Sequence, residues 1–206
     1  MGLKHHLTLA TATILLSACA TNKGTINSYT DPTFGSENIA TVAIFPIRNT
    51  KAAPSEARQI NRKLAVALQS VNPDVSFVNE VEAVAALDKA GLGQTWADFV
   101  TGYSVSGIPD VRKLKSVSEA IDTDTILQGE MVSVVQEDGS YGMNAGTTRV
   151  TVRYTLMDTD DGKLLWEASA DGIRKTATTL GDAPPVIEAV NLAVDKIIEN
   201  LPDFNP

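Results

Sequence analysis

Residues 147–170, which read TTRVTVRYTLMDTDDGKLLWEASA, decide the fold. Apolar and polar residues alternate in the first half of this stretch, which is the period of a strand with one buried face. The apolar set is Val150, Val152, Tyr154 and Leu156, and the polar set is Thr151, Arg153 and Thr155. Asp158 to Gly162 has the composition of a tight turn, and Lys163 to Ala170 returns as a second strand. With a further strand over Thr125 to Gln136, the pattern predicts a three-stranded antiparallel meander.

Strands and helices alternate in the chain before this meander. Apolar runs predict a strand buried on both faces at Ile39 to Ile47 and a short one at Val75 to Val78. Apolar residues at helical spacing predict helices over Pro54–Val71, Asn79–Asp88, Trp96–Tyr103 and Asp110–Ile121. In the first of these helices, Asn61 lies off the apolar stripe.

The strongest helical pattern follows the meander, from Pro184 to Leu201, and Pro202 ends it. We therefore predict a mixed α/β fold. It has a mixed sheet of about five strands, helices packed on the sheet, and an amphipathic C-terminal helix.

Residues 1–18 have the pattern of a secretory signal peptide. Lys4 gives a positive start, and Leu7 to Ala18 is an apolar stretch. This stretch is shorter than the roughly 20 residues that a membrane-spanning helix needs. We therefore expect residues 1–18 to be removed during export.

The end of this segment, Leu16-Ser17-Ala18-Cys19, resembles the bacterial lipobox at all four positions. The resemblance implies cleavage before Cys19, lipid on its thiol and acylation of the new amino terminus. Ala20, where an Asp would favour inner-membrane retention, favours the outer membrane. The alternative is an ordinary signal peptide followed by a chance Cys.

Residues 20–38 are polar, rich in Thr, Asn, Ser and Gly, and without periodicity. This composition predicts a flexible tether. The expected organisation is therefore a signal peptide over 1–18, a lipidated tether over 19–38, and a single periplasmic domain over 39–206.

Removal of the signal peptide changes the chemistry that is available. Both His residues of the chain, His5 and His6, leave with it, and Cys19 is the only Cys. A Ser-His-Asp or Cys-His site and a His/Cys zinc site are then excluded. The net charge of −8 argues against a nucleic-acid partner. We expect no metal, no enzymatic activity and no cofactor beyond the covalent lipid.

Three residues are candidates for contact with a protein partner. Tyr141 and Met143 interrupt a polar, Gly-rich loop, and Tyr103 ends an aromatic segment between glycines. Aromatic residues and Met are enriched at protein interfaces. The acids of the Asp158 to Gly162 turn leave calcium as an alternative to turn chemistry. Gly162 is the fifth residue of this segment, whereas a calcium-binding loop has its invariant glycine at the sixth position, so the turn is favoured.

Three motifs together resemble a periplasmic α/β domain of bacterial envelope proteins. They are Val42 to Pro46 with Asn49, Thr125 to Met131, and Val152 to Trp166 with Leu156, Asp158, Gly162 and Leu165. This domain is shared by the amino-terminal part of TolB, the curli-secretion lipoprotein and the penicillin-binding-protein activator lipoprotein. The resemblance spans roughly residues 39 to 200, without propeller repeats and without the long hairpins of a pore.

The resemblance and the lipobox imply a non-catalytic lipoprotein on the periplasmic face of the outer membrane. We expect it to be an adaptor or assembly factor for an envelope complex. It would bind either another envelope protein or further copies of itself. One alternative is an oligomeric secretion component of the curli type. Another is a hydrolase of wall or polysaccharide that uses carboxylates such as Glu130 and Asp158.

Overall fold

The predicted meander forms the centre of a six-stranded mixed sheet. The structure, a computed structural model, describes residues 25–35, 39–48, 51–141, 144–177 and 181–204. The strands are β1 (Ile26–Thr30), β2 (Thr41–Arg48), β3 (Ser76–Val78), β4 (Thr125–Glu137), β5 (Thr147–Asp158) and β6 (Leu164–Lys175). The helices are α1 (Pro54–Val71), α2 (Glu80–Ala90), α3 (Gly93–Ser106), α4 (Val111–Ile121) and α5 (Val186–Ile198). The mixed α/β prediction and the C-terminal helix are confirmed.

The strand order in the sheet is β1-β6-β5-β4-β2-β3. Both pairs that involve β2, with β3 and with β4, are parallel, and the other pairs are antiparallel. In the centre of the meander, Val152 lies opposite both Met131 of β4 and Ala170 of β6. All three side chains are buried, so the alternation along β5 selects the face that enters the core.

Helices cover the two faces of the sheet unequally. α1 and α5 pack on one face and bury the apolar set of β5. α2, α3 and α4 pack on the other face against Ala43, Phe45 and Ile126, where the parallel strands lie. The polar side chains of β5 and β6 on that second face are therefore left partly exposed, and one end of the helical layer borders them.

Local sequence explains where the helices of the second layer begin and end. The Asn79 side chain accepts hydrogen bonds from the backbone of Val81 and Glu82, and Glu82 bonds back to Asn79. This reciprocal arrangement is a capping box. Gly91 ends α2 in the left-handed region at φ 70°, and Asp110 caps α4.

The amino-terminal strand β1 differs from the sequence analysis, which predicts a flexible tether over residues 19–38. Ile26–Thr30 pairs with β6, from Ile26 opposite Ala170 to Thr30 opposite Trp166. Four of its five side chains are exposed, so the strand has no apolar alternation that a sequence would reveal. Main-chain hydrogen bonds at the sheet edge hold it, and its addition makes the strand count six.

A polar clasp holds the end of β1 to the β5–β6 turn. Asp31 accepts hydrogen bonds from the Thr33 backbone at 2.8 Å and from its hydroxyl at 2.6 Å. Lys163 Nζ lies 3.1 Å from the same carboxylate oxygen. The Thr33 hydrogen bonds, assisted by Lys163, lower the pKa of Asp31 from 3.8 to about 2.

We expect the clasp to weaken only in strong acid. Because the pKa of Asp31 is lower in the folded chain, its contribution to stability is fully present above about pH 4 and is lost as the pH falls through about 2. A carboxyl NMR titration should give a midpoint near 2 for Asp31, and Thr33→Ala should move it upward. A midpoint near the ordinary value of 3.8 in the unmodified chain would contradict this assignment.

Candidate functional site

A cavity of about 160 Å³ lies between α3 and the sheet, over the first half of β4 and the second half of β5, with Arg48 at the carboxyl end of β2. From β2 the chain leaves through α1 on one face, and it returns to β4 through α2, α3 and α4 on the other. The strand order therefore reverses between β2 and β4, beside the cavity. The pairing of β2 with β4 also shifts register between Phe45 and Arg48.

One wall of the cavity is aromatic and comes from α3. Trp96, Phe99 and Tyr103 follow each other at helical spacing, so all three lie on one side of the helix. The Trp96 ring stacks on Phe45 of β2 at a centroid distance of 3.9 Å, and Phe99 lies 5.4 Å beyond it. Phe45 and Phe99 are buried, whereas Trp96 and Tyr103 are half-buried and line the cavity.

The opposite wall is polar and comes from the uncovered half of the sheet. Arg153 Nη2 lies 2.7 Å from a Glu130 carboxylate oxygen, and Arg153 Nε lies 4.0 Å from Glu167. Thr155 donates a hydrogen bond to the same Glu167 oxygen at 3.4 Å. Glu130 lies directly opposite Arg153, and Thr155 lies directly opposite Glu167, whereas Arg153 and Glu167 are diagonal neighbours; cross-strand pairs of both kinds can be favourable. One guanidinium therefore serves two carboxylates.

Tyr103, on the aromatic wall, interacts electrostatically with Glu167 and Arg153 on the polar wall. Burial raises the pKa of the Tyr103 phenol, and the nearby Glu167 carboxylate acts in the same direction. The phenol is therefore a neutral hydrogen-bonding group at physiological pH.

Gln128 lines the cavity and carries a buried acceptor without a hydrogen-bond partner among the described residues. Its amide nitrogen donates to the Pro46 carbonyl at 2.9 Å and to the Gly129 carbonyl at 2.6 Å. Because both partners are acceptors, the nitrogen must face them. The remaining atom, Oε1, is buried and has no hydrogen-bond partner among the described residues. Leaving such an acceptor unpaired costs about 1–3 kcal/mol.

Arg48, the last residue of β2, completes the polar wall. Among the described residues, no carboxylate lies within ion-pair distance of its guanidinium. Arg153, by contrast, already pairs with two carboxylates, those of Glu130 and Glu167. Among the described residues, the cavity therefore combines an aromatic wall with one cation, Arg48, that has no carboxylate partner.

Of the two described residues predicted to contact a partner, Tyr103 lines this cavity and Tyr141 does not. Tyr141 lies on the β4–β5 connection with 83% of its surface exposed. Met143 and Cys19 lie outside the described residues, so their predicted roles stay predictions.

The two acids that the hydrolase alternative names are not brought together. Glu130 lines the cavity and pairs with Arg153, whereas Asp158 lies outside it. Asp158 accepts hydrogen bonds from the backbone of Asp160 at 2.7 Å and of Asp161 at 3.3 Å. Its carboxylate thus organises the turn that Gly162 closes with φ 75°.

Sequence analysis did not identify Arg48, Gln128, Arg153 or Glu167 as site residues. A usable signal exists for Arg48, since it is the first charge after a buried apolar run. Gln128 and Glu130 also interrupt the buried pattern of β4. Neither signal shows which residues meet, because the cavity draws on segments far apart in the chain.

Neither a membrane-spanning helix nor a metal-binding cluster is found among the described residues. None of their helices is long and apolar enough to cross a membrane. No group of three or more His, Cys, Asp or Glu in this part of the chain could hold a metal ion.

Comparisons with known proteins give similarities of structure only. No protein-family model matches the sequence, and no curated protein matches it. The PelC dodecamer of Paraburkholderia phytofirmans is similar at 15% identity and a TM-score of 0.48, over 85% of this chain and 95% of that one. Lipoprotein GNA1162 of Neisseria meningitidis is similar at 13% identity and 0.45, over 78% and 96%.

The C-terminal domain of Escherichia coli LpoB is similar at 13% identity and a TM-score of 0.39, over 64% of this chain and 81% of that one. Two of these three proteins thus match over nearly their whole length. At these identities and scores the likeness concerns the arrangement of helices and strands, and we draw no function from it.

Proposed function

We propose that this chain is a non-catalytic outer-membrane lipoprotein that acts as an adaptor or assembly factor in the cell envelope. The observation that carries the proposal is a pair of exposed aliphatic residues at the carboxyl end of α3. Val105, in the last turn of the helix, is 86% exposed, and Ile108, two residues after the helix, is 73% exposed. Large aliphatic side chains exposed close together in the chain are typical of a surface that a partner covers.

The lipobox motif at Leu16 to Cys19 supports the location at a membrane. The connection between Cys19 and the sheet is shorter than the predicted tether, because β1 already begins at Ile26. Seven residues, fully extended, span at most about 25 Å. A lipid on Cys19 would therefore hold the β1 edge of the sheet within about 25 Å of the lipid surface, whatever path those residues take.

The chemistry of the cavity supports binding rather than catalysis. Without residues 1–18 the chain has no His, and its one Cys is the lipidation candidate. Arg153 pairs with both Glu130 and Glu167. A glycosidase needs one carboxyl with a raised pKa opposite a second one that stays ionised, and a shared guanidinium works against that difference.

The partner surface can be tested by photo-crosslinking in intact cells. We expect a photo-reactive amino acid at Val105 to give one defined adduct with an envelope protein, because this side chain lies on the proposed contact surface. Val66 on α1 is a matched control, since it is a valine that is 66% exposed but lies in the other helical layer. Mass spectrometry of the adduct identifies the partner.

The same adducts from both positions, or none from Val105, would contradict the proposal. A Val105 adduct between two copies of this chain would instead favour the oligomeric alternative.

A further inference from the structure

We propose that the cavity between α3 and the sheet binds a small carboxylic acid that carries one flat apolar ring. The inference rests on the cavity alone and does not depend on the lipid anchor or on the partner surface. Size and charge each define one part of the ligand.

Size limits the ligand to one ring. The cavity holds about 160 Å³, and an apolar cavity of about 150 Å³ is large enough to admit benzene. The half-buried Trp96 and Tyr103 line it with aromatic surface, against which a flat ring gains contact area and a favourable aromatic geometry. The Trp96 ring stacks against the buried rings of Phe45 and Phe99, which holds this wall in place before a ligand arrives.

Charge selects an acid. Arg48 lines the cavity with no carboxylate within ion-pair distance among the described residues. A guanidinium at the edge of an apolar cavity binds a planar carboxylate through two parallel hydrogen bonds. Glu130 and Glu167 on the same wall would repel a ligand of higher negative charge, such as a phosphate. A single carboxylate is the anion that fits.

The same chemistry has two sources, a free small acid and the carboxyl-terminal aromatic residue of a peptide. We therefore name two probes with matched neutral forms. They are 4-hydroxyphenylacetate with its amide, and the tripeptide Gly-Gly-Tyr with a free or an amidated terminus. Binding is followed by NMR at the indole N–H of Trp96. Trp166 is 2% exposed and lies in the other core, so its signal reports whether the fold is intact.

We expect 4-hydroxyphenylacetate to move the Trp96 signal with a dissociation constant on the order of 1 mM or below. Its amide should bind about 10-fold more weakly or worse, because Arg48 loses its anion. Tighter binding by Gly-Gly-Tyr would assign the site to the end of a partner chain, and tighter binding by the free acid would assign it to a small metabolite. Both results support the proposal.

Two variants locate the site. Arg48→Gln should weaken binding of the acid about 10-fold and leave binding of the amide unchanged. Arg112→Gln is the control, because Arg112 is an exposed arginine of α4 that does not line the cavity. The proposal is overturned if no probe gives a saturable shift at about 10 mM. Equal affinity of acid and amide, or equal effects of the Arg48 and Arg112 variants, also overturns it.

Discussion

Gly172→Ala should destabilise the domain by at least about 3 kcal/mol, at the upper end of what overpacking costs. A Cβ at this position would lie 1.8 Å from the Ala189 carbonyl oxygen and 2.9 Å from the Ala193 nitrogen. Both atoms belong to the backbone of α5, so rotation of a side chain cannot relieve the clash. α5 would have to move away from β6, and Val190 and Val194, which are fully buried, would lose contacts with the core.

The backbone conformation is not the reason for this glycine. Its φ is not in the left-handed region, so the absence of a Cβ alone lets α5 approach the sheet. Gly102→Ala in α3 is the matched control, since nothing lies within 4 Å of a Cβ there. Because alanine favours a helix, Gly102→Ala should stabilise the domain by about 0.5–1 kcal/mol.

Urea unfolding of the domain without its lipid measures both variants. A loss below about 1 kcal/mol for Gly172→Ala would mean that α5 adapts easily. The close contact between α5 and β6 would then not be a determinant of the fold.

Loss of Cys19 should release the protein from the membrane. Each buried CH₂ of an acyl chain contributes about 0.8 kcal/mol, so two or more chains hold a protein stably. The described residues contain no helix that could cross the membrane. We therefore expect a form exported by an ordinary cleavable signal joined to Thr21, without Cys19, to appear in the soluble periplasmic fraction.

Fractionation with a second variant separates anchoring from sorting. Ala20→Asp retains Cys19, so it should keep the protein membrane-bound while moving it from the outer to the inner membrane. A form without Cys19 that still sediments with membranes would show that the domain itself binds them, contrary to the proposal.

Much of the fold could be predicted because a few segments carry strong periodicity. The alternation of apolar and polar residues along β5 fits a strand and not a helix. The apolar stripe of α5 fits a helix and not a strand. The capping residues Asn79 and Asp110 act locally, so their function is visible in the sequence. Such signals fix the order of the elements and therefore the fold class.

Features that depend on distant partners could not be predicted. β1 pairs through its backbone, which carries no sequence signature. Asn61 lies off the apolar stripe of α1, yet it is only 2% exposed. Its amide donates to the Phe45 carbonyl at 3.0 Å and to Glu80, and its oxygen accepts from the Tyr154 hydroxyl at 3.1 Å. Only the tertiary structure supplies these partners.

The cavity could not be predicted for the same reason, because its residues meet only in the folded sheet. Its charged residues are ordinary polar positions of their own strands, and only the sheet register places Glu130 opposite Arg153 and Glu167 diagonal to it. The cross-strand arrangement also explains why Glu130 and Asp158 are an unsuitable pair. Asp158 lies at the far end of β5, opposite Thr125 rather than Glu130.

Mass spectrometry of the mature amino terminus tests the central claim, a lipid-anchored envelope protein, most directly. For protein extracted from membranes with detergent, the account predicts that the chain begins at Cys19, with a diacylglyceryl group on the thiol and an acyl chain on the amino group. A chain that begins elsewhere, or at Cys19 with a free thiol, would contradict it.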